Sequence, residues 1–136
     1  MNKYFVLMFF VMLAFGCDTN EVYESDNLEP PLYDLTGIWT GSIDDMDGDD
    51  TIAFRMNITQ EQNHLYGTMN YIYDNNYKFN ICGIIQSDKI DLRFVRETDP
   101  DYIIECVGST CGSAIYAKWK DLYEESGYFQ AFFNIK

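Results

Sequence analysis

The sequence predicts an all-β protein, eight antiparallel strands in an up-and-down meander that closes into a barrel. Three observations carry this. From Leu35 onward, apolar and polar residues alternate with a period of two, and the breaks fall at turn residues at regular spacing. Aromatic residues make up 17% of the chain, with eleven Tyr and ten Phe, flat side chains that pack well on a pleated surface. No connection between the alternating runs is long enough for the crossover of a parallel unit. Spacing alone leaves a two-sheet sandwich open, but closure is favoured because it leaves no exposed edge.

The 136 residues, 47% of them hydrophobic, amount to one folded domain with a leader. Met1 to Gly16 carries a single basic residue, Lys3, then an apolar run from Tyr4 to Phe15 too short to span a bilayer as a mature helix, so 1–16 reads as a signal peptide. Its end, Leu13-Ala14-Phe15-Gly16-Cys17, resembles the lipobox of bacterial lipoproteins, where a small residue precedes a cysteine that is diacylated and becomes the new N-terminus. The resemblance implies lipidation at Cys17 and stable anchoring in a bilayer, since each buried CH₂ contributes about 0.8 kcal/mol. An ordinary secretory signal that merely ends near Cys17 is the alternative. Residues 17–34 follow, acidic and without period, with Pro30-Pro31 stiffening the last part, and read as a flexible tether. The barrel occupies 35–136.

The first strand runs from about Leu35 to Ile43, with Trp39 between Gly37 and Gly41 and large enough to plug one end of a small barrel. An acidic loop, Asp44 to Asp50, leads to the second strand, Thr51 to Gln60, with Ile52, Phe54, Met56 and Ile58 on one face. A turn at Gln62-Asn63 opens the third strand, Leu65 to Tyr73, with Leu65, Gly67, Met69 and Tyr71 inward. Beyond Asp74-Asn75-Asn76 lies the fourth, Tyr77 to Gln86, with Phe79 and Ile81 inward. The Ser87-Asp88 turn opens the fifth, with Ile90, Leu92 and Phe94 inward, and Pro100 closes it. The sixth begins near Tyr102, the seventh contains Ile115, Ala117 and Trp119, and the eighth, Tyr128 to Ile135, points Phe129, Ala131 and Phe133 inward.

Several short stretches now carry a family likeness: Gly37-Ile38-Trp39-Thr40-Gly41, Gln60 through Leu65-Tyr66-Gly67-Thr68, and Gly108 and Gly112 through Ile115 to Trp119. Together they resemble the lipocalin-like and avidin-like eight-stranded barrels, small bacterial lipoproteins of that shape included. The resemblance implies a shape more than an activity. Avidins begin their biotin contacts with an Asn just after the first-strand Trp; this chain has Thr40-Gly41-Ser42 there, and those ligand residues are not carried over.

If Cys17 is acylated, Cys82, Cys106 and Cys111 remain, an odd number. A turn at Gly108-Ser109 would set Cys106 opposite Cys111, in reach of a disulfide; a turn at Gly112-Ser113 would place both along one strand, about 17 Å apart, and forbid the bond. The second register is expected, because it gives the sixth strand a length that matches its neighbours. A zinc site is not expected, since no close Cys pair exists and His64, the only histidine, falls in a turn read as exposed. Asp45, Asp47 and Asp49 are the weak metal candidates. Their loop fails the calcium-hand pattern, because Gly48 is misplaced and Met56 stands where a Glu is needed. No nucleophile motif and no cofactor motif is present, so neither an enzyme nor a cofactor is expected.

Net charge is −13, which makes nucleic acid a poor partner. A meander sorts its turns: those after the even strands lie at one end and are tight, whereas the other end carries Asp44, Asp45, Asp47, Asp49, Asp50, Asp74, Glu97, Asp99, Asp101, Asp121, Glu124 and Glu125. An interior of this size either fills itself or holds one small ligand. The candidate ligand residues are Trp39, Phe54, Met56, Met69, Tyr71, Phe79, Phe94, Trp119 and Phe129. The expected role is that of a non-enzymatic lipoprotein of the cell envelope, held at a membrane through Cys17, with the outer membrane as the expected destination and a small hydrophobic or aromatic molecule as its ligand. The alternative is a solid-core barrel acting as a structural or protein-interaction module, and assembly into oligomers is left open.

Overall fold

The computed structural model describes residues 28–45 and 50–134. The signal segment, Cys17, the tether as far as residue 27, Asp47 and Asp49 lie outside the described residues. Eight strands follow one another: β1 (Gly37–Asp45), β2 (Thr51–Glu61), β3 (His64–Tyr71), β4 (Lys78–Gln86), β5 (Lys89–Arg96), β6 (Ile103–Thr110), β7 (Ala114–Asp121) and β8 (Ser126–Phe133). Each is antiparallel to the next, and β1 also pairs with β8, Trp39 opposite Phe133 and Ile43 opposite Phe129, so the sheet is a closed barrel. This is the meander that the alternation predicts, consistent with a lipocalin-like or avidin-like fold.

The strand ends differ from the sequence reading for local reasons. β1 starts at Gly37 because the two residues before it bond elsewhere: Leu35 N–H donates to Gln60 Oε1 at 2.9 Å and Thr36 N–H to Asp34 Oδ1 at 3.0 Å. β8 starts early, at Ser126, because Asp121 Oδ1 accepts from Tyr123 and Glu125 N–H, both at 3.0 Å, and tightens the preceding turn. His64 is not in an exposed turn. The turn before it uses only Gln62 and Asn63, so His64 already pairs with Glu61 and Ile84, and it is half-buried. β6 ends at Thr110 with the turn at 111–113, so Cys106 opposes Trp119 and the second of the two cysteine registers is the one adopted.

Curling eight strands this tightly brings backbones close together. A Cβ on Gly41 would run into the carbonyl oxygen of Gln130 on β8, and one on Gly67 into that of Asn57 on β2. Only glycine fits at these contacts. Inside, Phe54 stacks on Phe129 with ring centroids 4.9 Å apart, Phe94 lies 5.6 Å from Phe129, and Met56, Met69, Leu92, Phe79 and Cys106 fill the rest, all nearly or fully buried.

The even-numbered turns form the closed end. Trp39, fully buried, donates its Nε1–H to Leu35 O at 2.9 Å, and its ring meets Phe133 edge-on at 5.4 Å. Residues 28–36 are laid across this end as a strap. Pro31 bridges Ser87, Leu32 N–H donates to Ser87 O, and Asn63 Nδ2 donates to both Glu29 O (2.6 Å) and Ile85 O (2.7 Å). The part of the tether that is described, 28–34, is thus hydrogen-bonded to the barrel.

Candidate functional site

At the other end the strands keep alternating, but the residue type changes. One step beyond the last apolar residue, the inward series reaches Tyr71 on β3, Tyr77 ahead of β4, Arg96 ending β5, Tyr102 ahead of β6 and Asp121 ending β7. Together these form the mouth. Trp119, just below, donates Nε1–H to Asp44 O at 2.8 Å and so anchors the β1 end of the rim.

The tyrosines are stacked rather than scattered. Tyr71 lies 5.2 Å from Tyr77 and 5.4 Å from Phe79, Phe79 lies 6.4 Å from Tyr102, and Tyr102 lies 6.1 Å from Tyr123, a run of rings from the core to the rim. Between β2 and the β3–β4 turn they leave a half-open pocket of about 500 Å³, lined by Thr51, Ile52, Ala53, Tyr71, Tyr73, Asp74, Tyr77 and Tyr102. That is the size of a small-ligand site.

Charge at the mouth is already committed. The Arg96 guanidinium sits 4.2 Å from the centroid of Tyr77, a cation–π contact, and its buried Nε has no hydrogen-bond partner. Asp121 receives the Tyr102 hydroxyl on Oδ2 at 3.0 Å and two backbone N–H groups on Oδ1. Burial pushes the Tyr71 phenol up to about 12, with nearby Tyr77 adding to the shift and Arg96 opposing it. Burial also raises Tyr102, helped by the hydrogen bond it donates to Asp121. Near neutral pH both phenols therefore keep their protons and act as hydrogen-bonding groups with apolar faces, not as bases.

Of the nine candidate ligand residues, only Tyr71 lines this pocket. Trp39, Phe54, Met56, Met69, Phe79, Phe94, Trp119 and Phe129 are at most 8% exposed and form the packed core. The sequence reading missed Tyr77, Arg96, Tyr102 and Asp121 as a group. The signal that finds them is the same alternation carried one step past the apolar residues. Asp45, the described member of the weak metal trio, ends β1 and donates its N–H to Asp50 O. Among the described residues no three His, Cys, Asp or Glu side chains are grouped to hold a metal ion.

Cys106 lies on the core side of the mouth, within electrostatic reach of Tyr71. Cys106 points into the core, where burial pushes its thiol well above the ordinary value. Cys111 is exposed in the β6–β7 turn, and the backbone N–H of Ser113 lowers its pKa.

Neither a scan against models of known protein families nor a search of curated proteins returns a match for this chain.

Proposed function

We propose that the protein is a non-enzymatic lipoprotein of the cell envelope, anchored through acylated Cys17, whose barrel binds a small hydrophobic or aromatic molecule at its mouth. The single observation behind the binding reading is the pocket of about 500 Å³ walled by Tyr71, Tyr77, Tyr102 and Ile52. The ligand sits at the tyrosine layer and not in the interior, which is occupied by stacked aromatic side chains. The anchor rests on the lipobox-like Leu13-Ala14-Phe15-Gly16-Cys17 alone, and the outer membrane is the proposed destination.

Native mass spectrometry of protein purified from its own membrane tests both parts. The expected spectrum shows a chain cleaved before Cys17 and heavier by its acyl groups, with a further small adduct that leaves on gentle activation. An uncleaved or unacylated chain overturns the anchor, and an acylated chain with no adduct overturns the ligand.

A second reading is supported by the outer wall. Val107, Tyr116, Tyr128, Phe132 and Ile38, on β6, β7, β8 and β1, are exposed, and Tyr116 meets Phe132 edge-on at 6.0 Å. With a filled core, such a wall fits a structural or protein-interaction module.

A further inference from the structure

We infer that the ligand of the mouth is a cation, a small molecule that pairs a ring or short apolar body with an ammonium or guanidinium group. This deepens the mouth-binding reading and rests on it. The pocket offers what such a ligand needs. Ile52 and the rings of Tyr71, Tyr77 and Tyr102 take the apolar body, and tyrosine faces attract positive charge through their quadrupole.

The chain itself shows that this layer holds a cation. Arg96 lies on the Tyr77 ring at 4.2 Å, and among the described residues no carboxylate forms an ion pair with it. The Arg96 guanidinium is half-buried with its Nε shielded from water, so the rings of this layer already take one cation–π contact.

The charges around the opening agree in sign. Asp74 is part of the lining, and Asp99, Asp101, Glu124 and Glu125 stand in the turns of the same end. Salt limits their reach to about 8 Å at physiological ionic strength, so the nearest carboxylates set the preference. The cations of this end stand outside the lining: Lys78 and Lys120 are exposed on strands, and Arg96 is stacked on the Tyr77 ring.

The test compares three probes that share a phenyl ring and differ in charge, phenethylammonium, phenethyl alcohol and phenylpropionate, titrated into the full-length protein in detergent and followed by the NMR signals of labelled tyrosines. The expected order is ammonium tightest, about tenfold over the alcohol, with the carboxylate weakest. The gap should narrow between about 20 mM and about 500 mM salt, where screening shortens from roughly 20 Å to a few ångströms. Asp74→Asn, which keeps the side-chain acceptor for the Asn76 N–H, should shrink the preference and leave the alcohol unchanged. Equal binding of ammonium and alcohol, or tightest binding of phenylpropionate, overturns the cation inference while the mouth remains a site. Binding of none of the three, or binding that Tyr71→Ala leaves intact, overturns the mouth reading itself.

Discussion

At the closed end the barrel's inward positions hold Leu35, Trp39 and Leu65, all fully buried, and a strap of chain is hydrogen-bonded across them; at the open end the same strands turn Tyr71, Tyr77, Arg96, Tyr102 and Asp121 inward and leave a pocket. One backbone pattern thus produces a seal and a site. The difference lies in residue type at matching steps of the alternation. Apolar groups at the closed end need only contact, and packing completes them. Polar groups at the open end are turned inward against one another, Tyr102 donating to Asp121 and Arg96 stacked on Tyr77, with Arg96 Nε left without an acceptor. A layer held together this way is built by side-chain pairs rather than by filling space, which leaves room between the rings.

If the seal carries the stability and the mouth does not, Trp39→Ala should be the most damaging change. It removes a fully buried indole and orphans Leu35 O, for a loss of about 3–5 kcal/mol in urea unfolding. At the mouth, Asp121→Ala removes the acceptor for one hydroxyl and two N–H groups and should cost about 1–3 kcal/mol, while letting the Tyr102 phenol titrate nearer its ordinary value. A cost equal to that of Trp39→Ala would erase the contrast between the ends.

Alkali sharpens the comparison without mutation. Tyr71 and Tyr102 hold their protons more tightly folded than unfolded, so their contribution is intact below the ordinary phenol value of 10.0; that of Tyr71 is lost as pH rises through about 12, and that of Tyr102 at still more alkaline pH. Thermal melts from pH 9 to 12 should fall over that window, and Tyr71→Phe should flatten the fall.

Two smaller changes probe the strap. Asn63→Ala removes the donor to Glu29 O and Ile85 O; it should cost about 1–2 kcal/mol and speed proteolysis near residue 28, with phenyl-probe binding at the mouth unchanged. Ser87 has a positive φ of 55° in the β4–β5 turn, where glycine is more comfortable. Ser87→Gly should therefore stabilise by about 0.5–1 kcal/mol, since its backbone bonds to Pro30 and Leu32 need no side chain.

The barrel was legible because closure needs little beyond an unbroken period of two, and from Trp39 to Phe133 the inward residues declare themselves by being apolar. The mouth was legible only at Tyr71. Arg96 follows Phe94 and Asp121 follows Trp119 at the same spacing, yet a pattern read by hydrophobicity stops where the polar inward residues begin. The strap was hidden for a different reason. Residues 28–36 have no period, and the hydrogen bonds that tie them to the barrel's turns go to Gln60, Asn63, Gln86 and Ser87, residues at least 24 positions away that only the folded sheet brings near. His64 was misplaced by one residue of turn length, because a two-residue hairpin at Gln62-Asn63 puts it on the ladder.

The β1–β8 seam joins the earliest and latest strands of the domain with the same kind of ladder that joins neighbours in sequence, and Asn134 N–H reaches back to Ile38 O at 2.9 Å. Ring closure therefore waits for the last segment to be synthesised, and every intermediate before it exposes two raw edges. It also means that the ring has no privileged starting point: a circularly permuted chain, cut at Asn75-Asn76 and joined across the seam, would present the same eight staves in the same order.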